Sequence, residues 1–411
     1  MNKRRKRKFK KKIILTIFLL LIVGIGTGLY LNKDSISNLF NNEEVATPNN
    51  NVNKGDEKPL EDEIYKINML ATGDGLIHNA IYWEYSLKDK EYGPYDFSGA
   101  LDYVRDIVSK YDIAYYNQET PFAGGKSNGY PRFNTPSEFG DAMVDAGFNM
   151  VSLATNHTLD QGESGVLNSL TYWQNKNGVL FNGIANSVEN RNNFMIGEKN
   201  NITYTMLSYT TSTNGLQIPS GKDYLVNVYD PEQVKSDIEA IRDKVDVLIV
   251  AMHWGIEYAS TPNSEQQQIA QYLSDLGVDI IIGTHPHVLQ PITWIDDTLV
   301  IYSLGNFISN QYGTDDYNKL VGFMATWDIT KTVTPEGKTS ITIDNLGGEL
   351  IFTKYNGNPI TTANHDGHQV IPFSKMTDET YLSDYERIYN KYCGILESMG
   401  TNLNITPLPS F

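Results

Sequence analysis

VLIVAMHWGIEY (residues 247–258) and IIIGTHPHVLQP (residues 280–291) decide the fold. Each is a short apolar run that breaks off into imidazoles, His253 after the first and His285 and His287 after the second. Between them, residues 264–276 form an amphipathic, helix-like window. Strand, helix, strand in that order argues an α/β unit. In open α/β sheets, binding groups collect in the loops beyond the carboxyl ends of the strands. These histidines fall there.

The same alternation runs through the chain on either side. Strands are predicted at 64–72, 112–117, 149–154, 179–184, 202–208, 245–252, 278–283 and 298–303. Helices are predicted at 98–110, 137–147, 163–177, 231–243 and 264–276. Further strands are expected at 319–330 and 339–355, and residues 378–399 have helical spacing.

Three more strand ends carry polar groups. INMLATGDGLIH (67–78) presents Asp74 and His78, DIAYYNQETP (112–121) presents Glu119, and MVSLATNHTLDQG (150–162) presents Asn156, His157 and Asp160. Taken singly, an Asp after a strand is a helix cap and an Asn-His pair is a turn. Two imidazoles one residue apart after an apolar strand are harder to place as packing. Five of the seven histidines lie in these segments. Imidazole suits zinc, iron or nickel, and carboxylate suits manganese or magnesium. The mixed set points to borderline divalent ions, two of them. The other two histidines, His365 and His368, sit in the polar stretch TTANHDGHQV (361–370) and read as surface residues.

The N-terminus has a different character. Residues 3–12 hold nine Lys or Arg, and residues 13–31 hold no charge. Nineteen helical residues reach roughly 28 Å, close to a bilayer's hydrocarbon thickness. The expected order is a cytoplasmic basic tail (1–12), one transmembrane helix (13–31), a flexible Asn/Glu/Lys/Pro-rich linker (32–63) and an extracellular domain. Without the nine cations, residues 13–411 have 24 basic and 49 acidic side chains, a net charge of −25. Such a domain repels nucleic acid and anionic lipid. A lone cysteine, Cys393, excludes an internal disulfide and a thiolate zinc cluster. No Gly-x-x-x-x-Gly-Lys-Ser/Thr loop for ATP is present.

The ordered set GDGLIH, NQET, SLATNHTLDQG, AMHWGIEY, GTHPHVLQP and YSLGNFI resembles the CapA/PgsA family of poly-γ-glutamate capsule synthesis proteins. The resemblance covers roughly 64–330, a metallophosphatase-like domain, with 331–411 as C-terminal strands and helix completing it. It implies an α/β fold of four layers, an α/β/β/α sandwich of the calcineurin-like metallophosphoesterase type. It also implies two divalent ions (Mn, Zn or Fe). Asp74 and His287 would hold one, joined by His78; Asn156, His253 and His285 would hold the other; Glu119 would bridge. His157 would be the acid and Asp160 its orienting partner. Three residues separate Asp74 from His78 where phosphoesterases have one, and Glu119 stands where most have Asp. The implied partners are an anionic polymer such as poly-γ-glutamate and a membrane-embedded polymer synthase. Three readings follow: a component of capsule polymer synthesis and export, a metal-dependent hydrolase that releases or trims surface polymer, and a non-catalytic polymer-binding module.

Overall fold

The first strand, β1 (Glu63–Leu76), starts largely exposed and is buried at every residue from Met69 onward. Burial on both faces is what a central strand of a covered sheet requires. β2 (Ile113–Gln118), β3 (Met150–Ser152) and β4 (Leu180–Asn182) follow, with helices Glu138–Ala146 and Gly162–Gln174 between them. β5 (Gly197–Lys199), β6 (Ile202–Thr210), β7 (Val247–His253) and β8 (Ile280–Thr284) come next, with helices Pro231–Ile241 and Ser264–Asp275 as connections. The rest is largely strand: β9 (Ile292–Ile295), β10 (Thr298–Ile301), β11 (Asn306–Ser309), β12 (Val321–Val333), β13 (Thr339–Asn356) and β14 (Asp366–Pro372). Helix Tyr385–Leu396 and the short β15 (Asn404–Ile405) close the chain. The computed structural model describes residues 61–312, 316–357, 365–376, 382 and 384–409. The basic tail, the 13–31 membrane helix and nearly all of the 32–63 linker expected from sequence lie outside these residues. Among the described residues, no helix is long and apolar enough to cross a membrane.

Two sheets form. One has nine strands, with the path β14-β13-β12-β1-β2-β3-β4, β11 beside β1 and β15 beside β13. The other has six, in the order β5-β6-β7-β8-β10-β9. β1 to β4 run parallel, as do β6, β7, β8 and β10. Their carboxyl ends are therefore shared within each sheet.

The core divides into three, and the alternation of strand side chains dictates how. Ile67, Met69 and Ile113 of the first sheet meet Met206, Ile249 and Ile282 of the second in one cluster between the sheets. Leu70, Ala114 and Tyr116 face the other way, onto Phe139, Met143, Val166 and Trp173 of the helices over the first sheet. Leu248 and Val250 pack on Val234, Ile238, Ile269 and Leu273 over the second. The layers run helices, sheet, sheet, helices. Helix Tyr385–Leu396 adds Ile388, Tyr392 and Leu396 to the inner cluster.

The covering helices start where their sequences say. Asp230 accepts from the Gln233 amide with Pro231 in the first turn, and Asn263 and Gln266 form a reciprocal capping box. One expected helix differs. Residues 98–110 split into a 3-10 turn, Ser98–Leu101, and a single α-turn, Arg105–Val108. Val104, at φ −110° and ψ −21°, caps the second turn without a side-chain hydrogen bond.

Candidate metal centre

Strand register gathers the polar groups. In the first sheet one row of partners runs Asn306, Asp74, Asn117, Ser152, Asn182 across β11, β1, β2, β3 and β4. In the second, Thr210, His253 and Thr284 form a row across β6, β7 and β8. Apart from Asn306, which opens β11, both rows lie at the carboxyl ends of parallel strands. Sheet interiors bury apolar residues, so a buried polar row must be internally bonded or ligand-bound.

Asp74 is fully buried. Its Oδ1 accepts from Asn117 Nδ2 at 2.6 Å, and its Oδ2 from the His285 amide at 3.3 Å. Glu119, one residue beyond β2, is buried too, and neither carboxylate oxygen has a hydrogen-bond partner. His287 Nε2 lies 3.5 Å from Glu119 Oε1 and His253 Nε2 3.8 Å from it. His287 Nδ1 is 3.4 Å from Asp74 Oδ2 and His253 Nδ1 3.9 Å from Asp74 Oδ1. Asp74, Glu119 and His287 can each offer one ligand atom within 4.8 Å of the others; so can Glu257, His285 and His287.

The electrostatics of this cluster are severe. Burial raises the Glu119 carboxyl well above the carboxylate range. Burial also drives the His253 imidazole well below its usual value and His285 down to about 4. Burial opposes charge on His287 as well, but Glu119 and Asp74 outweigh it and hold that ring at about 9. His285 and His287 sit at positive φ, 95° and 57°, a region that costs a non-glycine residue on the order of 1–2 kcal/mol. The buried Nδ1 of His285 also lacks a partner. Orphaned carboxylate oxygens and an orphaned imidazole nitrogen, in two donor groups that share His287, fit divalent cations, which would satisfy them.

The other predicted residues divide. Asn156 Oδ1 is 3.0 Å from His253 Nε2, which brings it to the same cluster. His157 Nδ1 meets Asp160 Oδ2 at 2.7 Å, and the same oxygen accepts from the Phe133 amide at 2.8 Å. Phe133 packs edge-on against His157, with ring centroids 4.7 Å apart. His78 also packs edge-on against Phe133, with ring centroids 5.3 Å apart. Its Nδ1 lies 3.2 Å from the Leu76 carbonyl and 3.3 Å from the Asn310 amide.

His365 and His368, expected at the surface, are buried. The Asn310 side-chain oxygen meets His365 Nδ1 and His368 Nε2, each at 2.9 Å, and His368 Nδ1 meets Glu84 Oε2 at 2.8 Å. His365 also stacks on Tyr355, with centroids 3.9 Å apart. Composition suggested a solvated loop; pairing with Glu84 and Asn310, far away in sequence, overrides it. Sequence reasoning missed Asn117, Thr284 and Asn306. Asn117 bonds Asp74, Thr284 Oγ1 lies 3.0 Å from His253 Nδ1, and Asn306 Oδ1 lies 3.0 Å from His287 Nδ1. A polar residue closing a buried strand, as in IAYYNQ, was the available signal for Asn117.

Stacked sheets with histidines and carboxylates converging from five strand ends define a class: α/β proteins with a metal-competent centre at the sheet edge. The chain belongs to the family described as bacterial capsule synthesis protein PGA_cap, whose profile matches residues 68–311. It is 30% identical over 223 residues to the PGA biosynthesis protein CapA of Bacillus subtilis, covering 51% of this chain and 57% of that protein. It is 27% identical over 224 residues to the capsule biosynthesis protein CapA of Bacillus anthracis, covering 51% and 54%. The chain thus spans about half the length of the curated relatives it matches. Among solved structures it is similar to the calcineurin-like phosphoesterase YfkN from Bacillus subtilis, with 15% identity, a TM-score of 0.35, and coverage of 68% of this chain and 91% of that one.

Proposed function

We propose that this chain works outside the cell membrane in making or exporting an anionic capsule polymer of the poly-γ-glutamate kind, through a two-cation centre of phosphoesterase type. The observation that carries the reading is Glu119, whose two oxygens are buried without partners among His253, His287 and Asp74. A buried carboxylate left so is costly unless a cation meets it. In this reading Asp74 and His287 hold one ion and Asn156, His253 and His285 the other, with Glu119 shared between them. His78 would join Asp74 and His287, its Nδ1 engaged by the Leu76 carbonyl and the Asn310 amide. Bound divalent cations would supply Lewis acidity toward an ester or amide oxygen.

The chain's own residues supply the rest. Asp160 fixes His157 through Nδ1, which leaves Nε2 to deliver a proton to a leaving group. Asn117, Thr284 and Asn306 orient the ligand side chains from behind. The four-layer sandwich is read as the metallophosphoesterase type, residues 13–31 as a single-pass anchor with the N-terminus in the cytoplasm, and the partner as a membrane-embedded polymer synthase.

Substituting His157 by alanine separates chemistry from assembly. Full-length protein loaded with manganese should cleave a phosphodiester or γ-glutamyl substrate. His157→Ala should lower kcat by about 10²–10⁴-fold while leaving metal content unchanged. Full rescue of capsule export by His157→Ala in a deletion strain would favour a role in holding the polymer without cleaving it.

A further inference from the structure

One exposed acid reaches the centre from its open side. Glu257, in the loop that follows β7, can offer a carboxylate oxygen within 4.8 Å of ligand atoms of His285 and His287. The loop is fastened where it passes the histidines. The Trp254 amide donates to the Thr284 carbonyl at 3.1 Å, and the Tyr258 amide to the Pro286 carbonyl at 2.8 Å. Residues 254–258 are thus tied to 284–286 main chain to main chain, with Glu257 beside the second tie. Just beyond it, the Ala259 carbonyl accepts from Gln290 Nε2 at 2.8 Å, and Gln290 Oε1 accepts from Gln266 Nε2 at 2.8 Å; both glutamines are buried. Gly255 makes the turn at φ 92°, where a Cβ would lie 2.6 Å from Gln266 Oε1. Tyr258 is also at positive φ, 66°, its ring centroid 6.2 Å from that of His287. Among the described residues Glu257 has no lysine or arginine within ion-pair distance. Lys319 Nζ lies instead over the Tyr258 ring, 3.9 Å from its centroid. A glutamate that served only to hydrate the surface would need no such fastening.

We propose that Glu257 is a further metal ligand of the centre, its carboxylate meeting the cations from the solvent side, where His285 and His287 face it. This rests on the two-cation centre proposed above and adds one side chain to its ligand set. Carboxylate beside imidazole is a donor mix that manganese, iron and zinc accept. His285 keeps a buried nitrogen, Nδ1, without a partner, so a cation in this group answers a need already present. Asp74 and Glu119 carry too little charge to neutralise two divalent ions, and Glu257 supplies a third carboxylate. The main-chain ties fix the loop before metal arrives, which spares the ligand the cost of ordering. Because Glu257 is exposed, it stands where an incoming anionic group must arrive, and it sets how much positive charge that group meets.

The test is calorimetric titration of the full chain in detergent, stripped with chelator and desalted, with manganese, zinc and iron(II) in turn. For each metal that binds, Glu257→Gln should raise the Kd of the weaker-held ion about 10–100-fold, the range for losing a group on which a metal site depends. The metal-free melting temperature should stay at the wild-type value, since an exposed side chain contributes little to packing. Glu239→Gln removes the same charge from the end of helix Pro231–Ile241 that leads into the start of β7, the edge of the sheet opposite the centre, and should bind metal like the wild type. Glu257→Gln values within about twofold of wild type overturn the inference and leave the two-cation centre standing. An equal loss in Glu257→Gln and Glu239→Gln also overturns it, because net charge alone then accounts for the effect. A wild-type chain that binds none of the three metals overturns both.

Discussion

Replacing Glu119 by glutamine is expected to reverse the order of stability between metal-free and metal-loaded protein. Without metal, the wild type buries a carboxyl whose two oxygens have no hydrogen-bond partner. Glutamine removes the ionisable group, and with it the cost of burying it, at nearly constant shape, so the metal-free variant should be more stable by about 1–2 kcal/mol. With manganese at a hundredfold excess over Kd, the wild type gains about 2.7 kcal/mol by mass action. The variant, deprived of the shared ligand, should gain almost nothing. Thermal melts of both proteins with chelator and with manganese should therefore cross. Parallel metal-induced rises in both would remove Glu119 from the centre.

The second large effect comes from a residue with no chemistry. Gly73 precedes Asp74, and a Cβ at that position would lie 1.8 Å from the Gly305 carbonyl oxygen and 2.8 Å from its carbon. Both are main-chain atoms, so no side chain can swing aside. β1 would have to leave the Leu304–Gly305 segment and give up the Asp74 amide bond to Gly305 at 3.0 Å. Gly73→Ala should cost about 3 kcal/mol or more, at the upper end of what overpacking costs because only backbone can yield, and should displace Asp74 from its partners. Gly394 is the contrast. It lies inside helix Tyr385–Leu396 with open space around its missing Cβ, so Gly394→Ala should stabilise by about 0.5–1 kcal/mol. Urea midpoints of the two variants should move in opposite directions. A Gly73→Ala midpoint within error of wild type would show that the strand yields more easily than its contacts allow.

What the sequence revealed follows from which interactions are local. Apolar runs mark strands because a strand buried on both faces has no polar side to interrupt it, as in β7 and β8. The positions of Asp74, Glu119, Asn156, His253, His285 and His287 at strand ends were legible for the same reason: each follows such a run. Their convergence depends on register between distant strands. The pairing of Asp74 with Asn306 joins residues more than two hundred positions apart, and the motif YSLGNFI that contains Asn306 does not say which strand it will meet. His365 and His368 were misread because a polar composition cannot reveal a Glu84 carboxylate approaching from the far side of the sequence. The break in the 98–110 window, between Leu101 and Arg105, has no counterpart in its spacing, which is helical throughout.

We propose that these side chains form one centre for two divalent cations. Its most direct measurement is the metal content of the full chain, stripped with chelator, reloaded with manganese, zinc or iron, and desalted before elemental analysis. About two ions per chain are expected for at least one of these metals, falling below one in Glu119→Gln. A wild-type chain that retains none of the three, while folded by its melting curve, would contradict the account.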